Sequence, residues 1–195
     1  MGFIRVAANG FDFVDESTGE KFVPVGTNYA NCIGGYTAGD KAVGYSFLFG
    51  TDPYTQKDGL KEALDNVRRL GDLGLNLLRV WPEPNLFFPH GLRLDPRAAE
   101  MFDRFLEVCG TAGLRVTIGI HLCPVATGWR LHSFEPPHQE RLLQHHRAFA
   151  LRWGDRPEVF SWTIVGEGFL PWQTKDMVSR WPAWLRTGTT TTWRR

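Results

Sequence analysis

Leu75-Asn76-Leu77-Leu78-Arg79-Val80-Trp81 and, further along, Leu114-Arg115-Val116-Thr117-Ile118-Gly119-Ile120-His121 follow one pattern written twice. Each is a glycine, a leucine, one polar residue and a run apolar on both faces, entered from a segment of helical period. Before the first run, Leu60, Leu64, Val67, Leu70 and Leu73 form one apolar stripe opposite Lys61, Glu62, Arg68 and Arg69, and Gly74 ends it as a left-handed cap. Before the second, Asp95-Pro96 supplies an N-cap and a proline at the first helical turn. Phe102, Phe105, Cys109 and Ala112 make that helix's apolar face, and Gly113 closes it. A third unit places Leu142, His146, Phe149 and Trp153 on a helix, then Val159 to Val165 as a strand. Strands apolar on both faces, alternating with helices, pair in parallel.

Working outward, Phe22 to Tyr29 reads as the first buried strand. The predicted parallel strands are then 22–29, 75–81, 114–121 and 159–165. Upstream, Phe3 to Val6, Asn9-Gly10 and Phe11 to Val14 predict a hairpin closed by a tight primed turn. Residues 30–56 have no clean period and read as a long loop after a strand end. Long insertions follow strands one, two and three on the side where β/α folds build active sites. A doubly wound sheet fits this alternation too, but Gly26-Thr27-Asn28-Tyr29 is not the Gly-rich phosphate turn of that class.

Composition narrows the function. The 195 residues are 43% apolar and 22% charged, as in a globular chain, and one domain over 1–195 is expected. Twenty-two basic against 21 acidic residues leave a formal net charge of +1, so no basic excess serves nucleic acid. No apolar run has spanning length, and Met1-Gly2-Phe3-Ile4-Arg5 lacks the layout of a secretory signal. Cys32, Cys109 and Cys123 have no CxxC spacing, so reduced thiols in a cytoplasmic protein, without membrane or cofactor, are expected.

The polar residues at the strand ends are Asn28, Arg79, Glu83, His121 and Glu167. An arginine can hold a neighbouring carboxylate ionised, and paired carboxylates do acid/base work. A structural ion pair for Arg79 and a satisfied core position for His121 are the competing readings. Glu167 stands out, because it directly follows a buried strand and lies between Gly166 and Gly168.

This ordered set resembles the first half of a glycoside hydrolase of the clan that includes the family 5 cellulases and mannanases. Gly26-Thr27-Asn28-Tyr29 is similar to the end of that clan's first strand, Leu77-Leu78-Arg79 to its second, and His121 to its third. Arg156-Pro157 followed by Val159 to Glu167 is similar to its fourth, which carries the general acid/base. The similarity runs from residue 11 to about 186 and implies the first four strands of a (β/α)₈ barrel. It implies retaining hydrolysis of β-glycosidic O-linkages in oligo- or polysaccharides, with Glu167 as acid/base. Asn28, Arg79 and His121 would contact sugar or carboxylate oxygens, while Trp81, Trp129 and Trp172 would stack on sugar faces. Trp153 and Trp162 are expected in the core. Gly166 stands where the family has Asn, which removes the expected contact to the sugar 2-hydroxyl, and Gly168 where it has Pro. Glu83 is the second-ranked carboxylate.

The family's nucleophile lies on strand seven, and only four strands can be read, so a truncated or frame-shifted product is expected, with an atypical tail at 187–195. The competing readings are two. One is a non-catalytic half-barrel that needs a partner half and self-associates through exposed sheet edges. The other is a metal hydrolase built on some of the six histidines, among them His145-His146, His132 and His138, for which the HExxH pattern is missing.

Overall fold

The computed structural model describes residues 1–29, 37–38, 41–42, 59–82, 87–88, 91–119 and 136–163. In chain order the strands are β1 (Ile4–Val6), β2 (Phe13–Asp15), β3 (Lys21–Phe22), β4 (Gly26–Asn28), β5 (Thr37–Ala38) and β6 (Lys41–Ala42). Helix α1 (Gly59–Asp72) leads to β7 (Leu77–Val80), α2 (Pro96–Thr111) to β8 (Arg115–Gly119), and α3 (Pro136–Trp153) to β9 (Val159–Thr163).

The central sheet is parallel, in the order β4-β7-β8-β9. Sequential order separates the two candidate architectures, because a doubly wound sheet reverses direction at a switch point and a barrel does not. The position of the helices agrees. Leu78 and Val80 of β7 and Val116 and Ile118 of β8 are fully buried in one cluster. With them lie Leu64 and Val67 of α1, Phe102, Phe105 and Cys109 of α2, and Phe149 and Trp153 of α3. All three helices therefore cover the same face, as on the outside of a barrel. The aromatic centre of this layer is Trp153, 4.9 Å from Phe102 and 4.6 Å from Phe149 between ring centroids. Trp162 packs against the cluster, as its place within a strand predicted.

The repeated glycine-leucine punctuation has a backbone cause. Gly74 and Gly113 both adopt positive φ, at 84° and 75°. Gly74 N–H donates to Gly71 O and Leu75 N–H to Leu70 O; Gly113 and Leu114 repeat this toward Gly110 O and Cys109 O. Both helices thus end in the same left-handed stop, which satisfies their last carbonyls and turns the chain into the next strand. At the other end of α2, Asp95 caps the helix by accepting from Ala98 N–H at 2.9 Å.

Four expectations need correction. The predicted strand 22–29 is two strands: Lys21–Phe22 pairs antiparallel with β2, and Gly26–Asn28 opens the parallel sheet. Pro24, which lacks an N–H, stands between them and cannot donate to a ladder. The N-terminal hairpin exists, but its turn is wider than a two-residue one. Ala7 N–H reaches Asp12 O, and the Asn9 side chain accepts from the N–H groups of Phe11 and Asp12, so Phe11 lies in the turn and is 92% exposed. Leu73 lies beyond the end of α1 and is 77% exposed, outside the stripe. Within the segment read as a loop, β5 and β6 form a short antiparallel pair.

The polar residue of each repeat ties the N-terminal sheet beneath the parallel one. Asn76 accepts from Val25 N–H at 2.7 Å and donates to Val23 O at 2.8 Å. Arg115, 3% exposed, donates to Gly2 O, Pro157 O and the Asp15 carboxylate. Phe160 fills the gap, with Phe13 at 5.2 Å and Phe22 at 5.5 Å. The sheet β1-β2-β3 therefore closes the end at which the parallel strands begin.

Candidate functional site

The strand starts are closed, and the strand ends are where β/α barrels build their sites. In parallel pairing, residues in register share a face. Asn28 pairs with Arg79, Arg79 with Thr117, and Thr117 with Ser161. One polar row thus runs across four strands on the face opposite the helices. Thr117 and Ser161 close part of it by a hydroxyl–hydroxyl hydrogen bond of 2.8 Å.

Arg79 sits in the middle of that row. Its carbonyl accepts from Tyr29 N–H at 2.8 Å, which carries β4 one residue further along β7. Gly26 permits this approach, because a Cβ there would fall 2.1 Å from the Leu77 carbonyl oxygen. The Gly-x-Asn segment therefore has a geometric logic: glycine brings the strand close, and two residues later Asn28 lies beside Arg79.

The Arg79 guanidinium carbon lies 4.7 Å from the centroid of the Trp81 ring, within cation–π range. Trp81 is only 8% exposed. The indole also lies against Gly119, where an added Cβ would come within 2.8 Å of Trp81 Cδ1 and Nε1. Arg79 thus lies over the ring and Gly119 against its Cδ1–Nε1 side.

Of the sequence candidates, the structure brings together Asn28, Arg79 and Trp81. Glu167, His121, Trp129, Trp172 and Glu83 lie outside the described residues. Thr117, Ser161 and Gly119 join the row without having been singled out. Their signal was the alternation within β8, where Arg115, Thr117 and Gly119 share one face and Val116 and Ile118 the other. His145 is 2% exposed and stacks on the Phe88 ring at 4.0 Å, so it packs in the core. Among the described residues no group of three or more His, Cys, Asp or Glu is gathered as a metal would require, and no helix is long and apolar enough to cross a membrane.

No protein-family model matches the sequence, and no curated protein matches it. Solved structures do. The exo-β-1,4-mannosidase Op5Man5 from Opitutaceae bacterium strain TAV5 is similar with a TM-score of 0.61 at 20% identity, over 86% of this chain and 29% of that one. GH5_18 from Streptomyces cattleya, in complex with GlcNAc, is 24% identical with a TM-score of 0.47, over 55% of this chain and 28% of that one. An aphid myrosinase is 16% identical with a TM-score of 0.46, over 54% and 23%. The chain spans less than a third of the length of each of these structures. At such identities the likeness is one of fold: four consecutive parallel strands, as in a partial (β/α)₈ barrel, preceded by an antiparallel sheet, similar in fold to that mannosidase.

Proposed function

We propose that this chain belongs to a retaining glycoside hydrolase acting on β-glycosidic O-linkages, with Glu167 as the acid/base. Glu167 would protonate the leaving oxygen and later take the proton from a water, while a second carboxylate about 5–5.5 Å away, on a strand beyond the four read in this chain, would attack the anomeric carbon. The observation that carries this reading is the row Asn28–Arg79 at the strand ends, on the face away from the helices. It sets a cation and an amide where a barrel enzyme meets its substrate. Arg79 would keep the nucleophile ionised, and Asn28 and His121 would hold sugar or carboxylate oxygens. Trp129 and Trp172 are the proposed sugar-stacking residues. Trp81, whose ring Arg79 overlies, is proposed at the same mouth. β-Mannosides are the first substrates to try, since a fold relative is an exo-β-1,4-mannosidase.

A second reading is favoured by the four-stranded sheet, in which β4 and β9 are the edges among the described residues. In it, catalysis needs complementary strands from another segment or a second copy. One experiment separates the two. The chain is assayed on aryl β-mannosides, aryl β-glucosides, β-mannan and β-glucan, while its solution mass is read by light scattering. Hydrolysis by the monomer supports the first reading and requires a nucleophile within these residues in place of the strand-seven one, hydrolysis only in an associated form supports the second, and no hydrolysis in any form contradicts both.

A further inference from the structure

We propose that Trp81 is a positioning residue: its ring holds the Arg79 guanidinium, which no carboxylate of the described residues neutralises, ready for a carboxylate oxygen, and Gly119 is glycine in order to admit that ring. The proposal deepens the glycosidase reading and rests on it only in taking the awaited anion to be a carboxylate of the reaction.

The argument begins with a contrast between arginines of the same chain. Arg115 is held by the Asp15 carboxylate and two carbonyls, and Arg156 by the Glu158 carboxylate at 3.0 Å. Among the described residues Arg79 pairs with no carboxylate. Its Nε is shielded from solvent yet has no hydrogen-bond acceptor there, and its register neighbours Asn28 and Thr117 are neutral. What it has is the face of Trp81 at 4.7 Å. A carboxylate would fix the guanidinium and cancel its charge. A ring quadrupole fixes it and leaves the charge and the N–H donors available. The support is in turn supported, because Trp81 is 8% exposed and Gly119 leaves it room that any Cβ would fill, 2.8 Å from two indole atoms. Three strand-end positions, 79, 81 and 119, thus act as one device.

The test reads the geometry directly. In chain labelled with ¹⁵N-arginine, the Arg79 Nε–Hε resonance is assigned by its loss in Arg79→Lys. In the wild type it is expected upfield of the other arginines through the indole ring current. It should stay largely upfield in Trp81→Phe and return to the ordinary position in Trp81→Leu. In Gly119→Ala it should also move, although the tryptophan is still present. An Arg79 resonance unmoved in both Trp81→Leu and Gly119→Ala, in chains with wild-type circular dichroism, overturns the proposal. If Trp81→Leu does not fold, Gly119→Ala decides by the same criterion. In the activity arm, Trp81→Leu should lower kcat about tenfold with KM within about twofold, and Trp81→Phe should restore most of it. A wild-type chain without glycosidase activity would sink the functional reading, while the resonance would still decide the role of Trp81.

Discussion

At the scale of single residues, two arginines at opposite ends of adjacent strands do different work. Arg115 is buried at the start of β8 and holds the N-terminal sheet, so removing it strands Asp15 and two carbonyls in a sheltered place. Arg115→Met is expected to lower unfolding stability by roughly 2–4 kcal/mol, measured by urea denaturation. Burial pulls the proton affinity of Arg115 below its ordinary value, and the Asp15 charge partly offsets that cost. Asp15 itself is held below the usual 3.8, first by the Ser17 hydroxyl at 2.6 Å, then by the Ser17 N–H and the Arg115 charge. A carboxyl with a depressed folded value stabilises the fold fully above its unfolded value and loses that contribution as pH falls through the folded one. Stability should therefore drop as pH falls below about 4, and Asp15→Asn should flatten that part of the profile when thermal unfolding is followed against pH. The roles of these residues were not legible in the sequence. Arg115 occupies the polar slot of the repeat, but nothing local tells that slot from the neighbouring inward positions, and its partners Gly2, Asp15 and Pro157 lie 113, 100 and 42 residues away in the chain.

At the scale of elements, legibility followed how local the cause was. The ends of α1 and α2 were readable because Gly74, Gly113 and Asp95 act on backbone within a few residues of themselves. Asp95→Ala is expected to cost about 1 kcal/mol, read as a shift in denaturation midpoint at unchanged slope. The division at Pro24 was missed because an apolar stretch reads alike whether one strand or two use it, and the change of partner sheet is a tertiary fact. The same division explains Gly26, whose role is close approach rather than turn geometry. Gly26→Ala would set a Cβ against the Leu77 carbonyl at 2.1 Å, so β4 should part from β7. Faster amide exchange at Leu77 and Tyr29 is the expected signature, with the protection of β8 retained. Phe102→Ala, at the aromatic centre where α2 and α3 meet, should cost about 3–5 kcal/mol in the same denaturation experiment.

At the scale of the whole molecule, the two ends of the parallel sheet differ, and the proposed chemistry belongs to the one left uncovered by the antiparallel sheet. The antiparallel sheet covers the strand starts through Asn76, Arg115 and Phe160, while the row of Asn28, Arg79, Thr117 and Ser161 crosses the sheet beyond those starts, on the face away from the helices. That polarity was legible from the insertions that follow the strands, and the barrel-like arrangement follows from sequential order and helices on one face. The acid/base assignment rests on Glu167 and its sequence context. The most direct test compares wild type with Glu167→Gln on two β-mannosides, one with a poor alkyl leaving group and one with a dinitrophenyl leaving group. The account predicts that hydrolysis of the first falls by about 10²–10⁴-fold, because it needs a proton donor, while the glycosylation step of the second, which does not, is largely kept. Equal rates for the two proteins on the alkyl glycoside, or no hydrolysis of either substrate by the wild type, would contradict it.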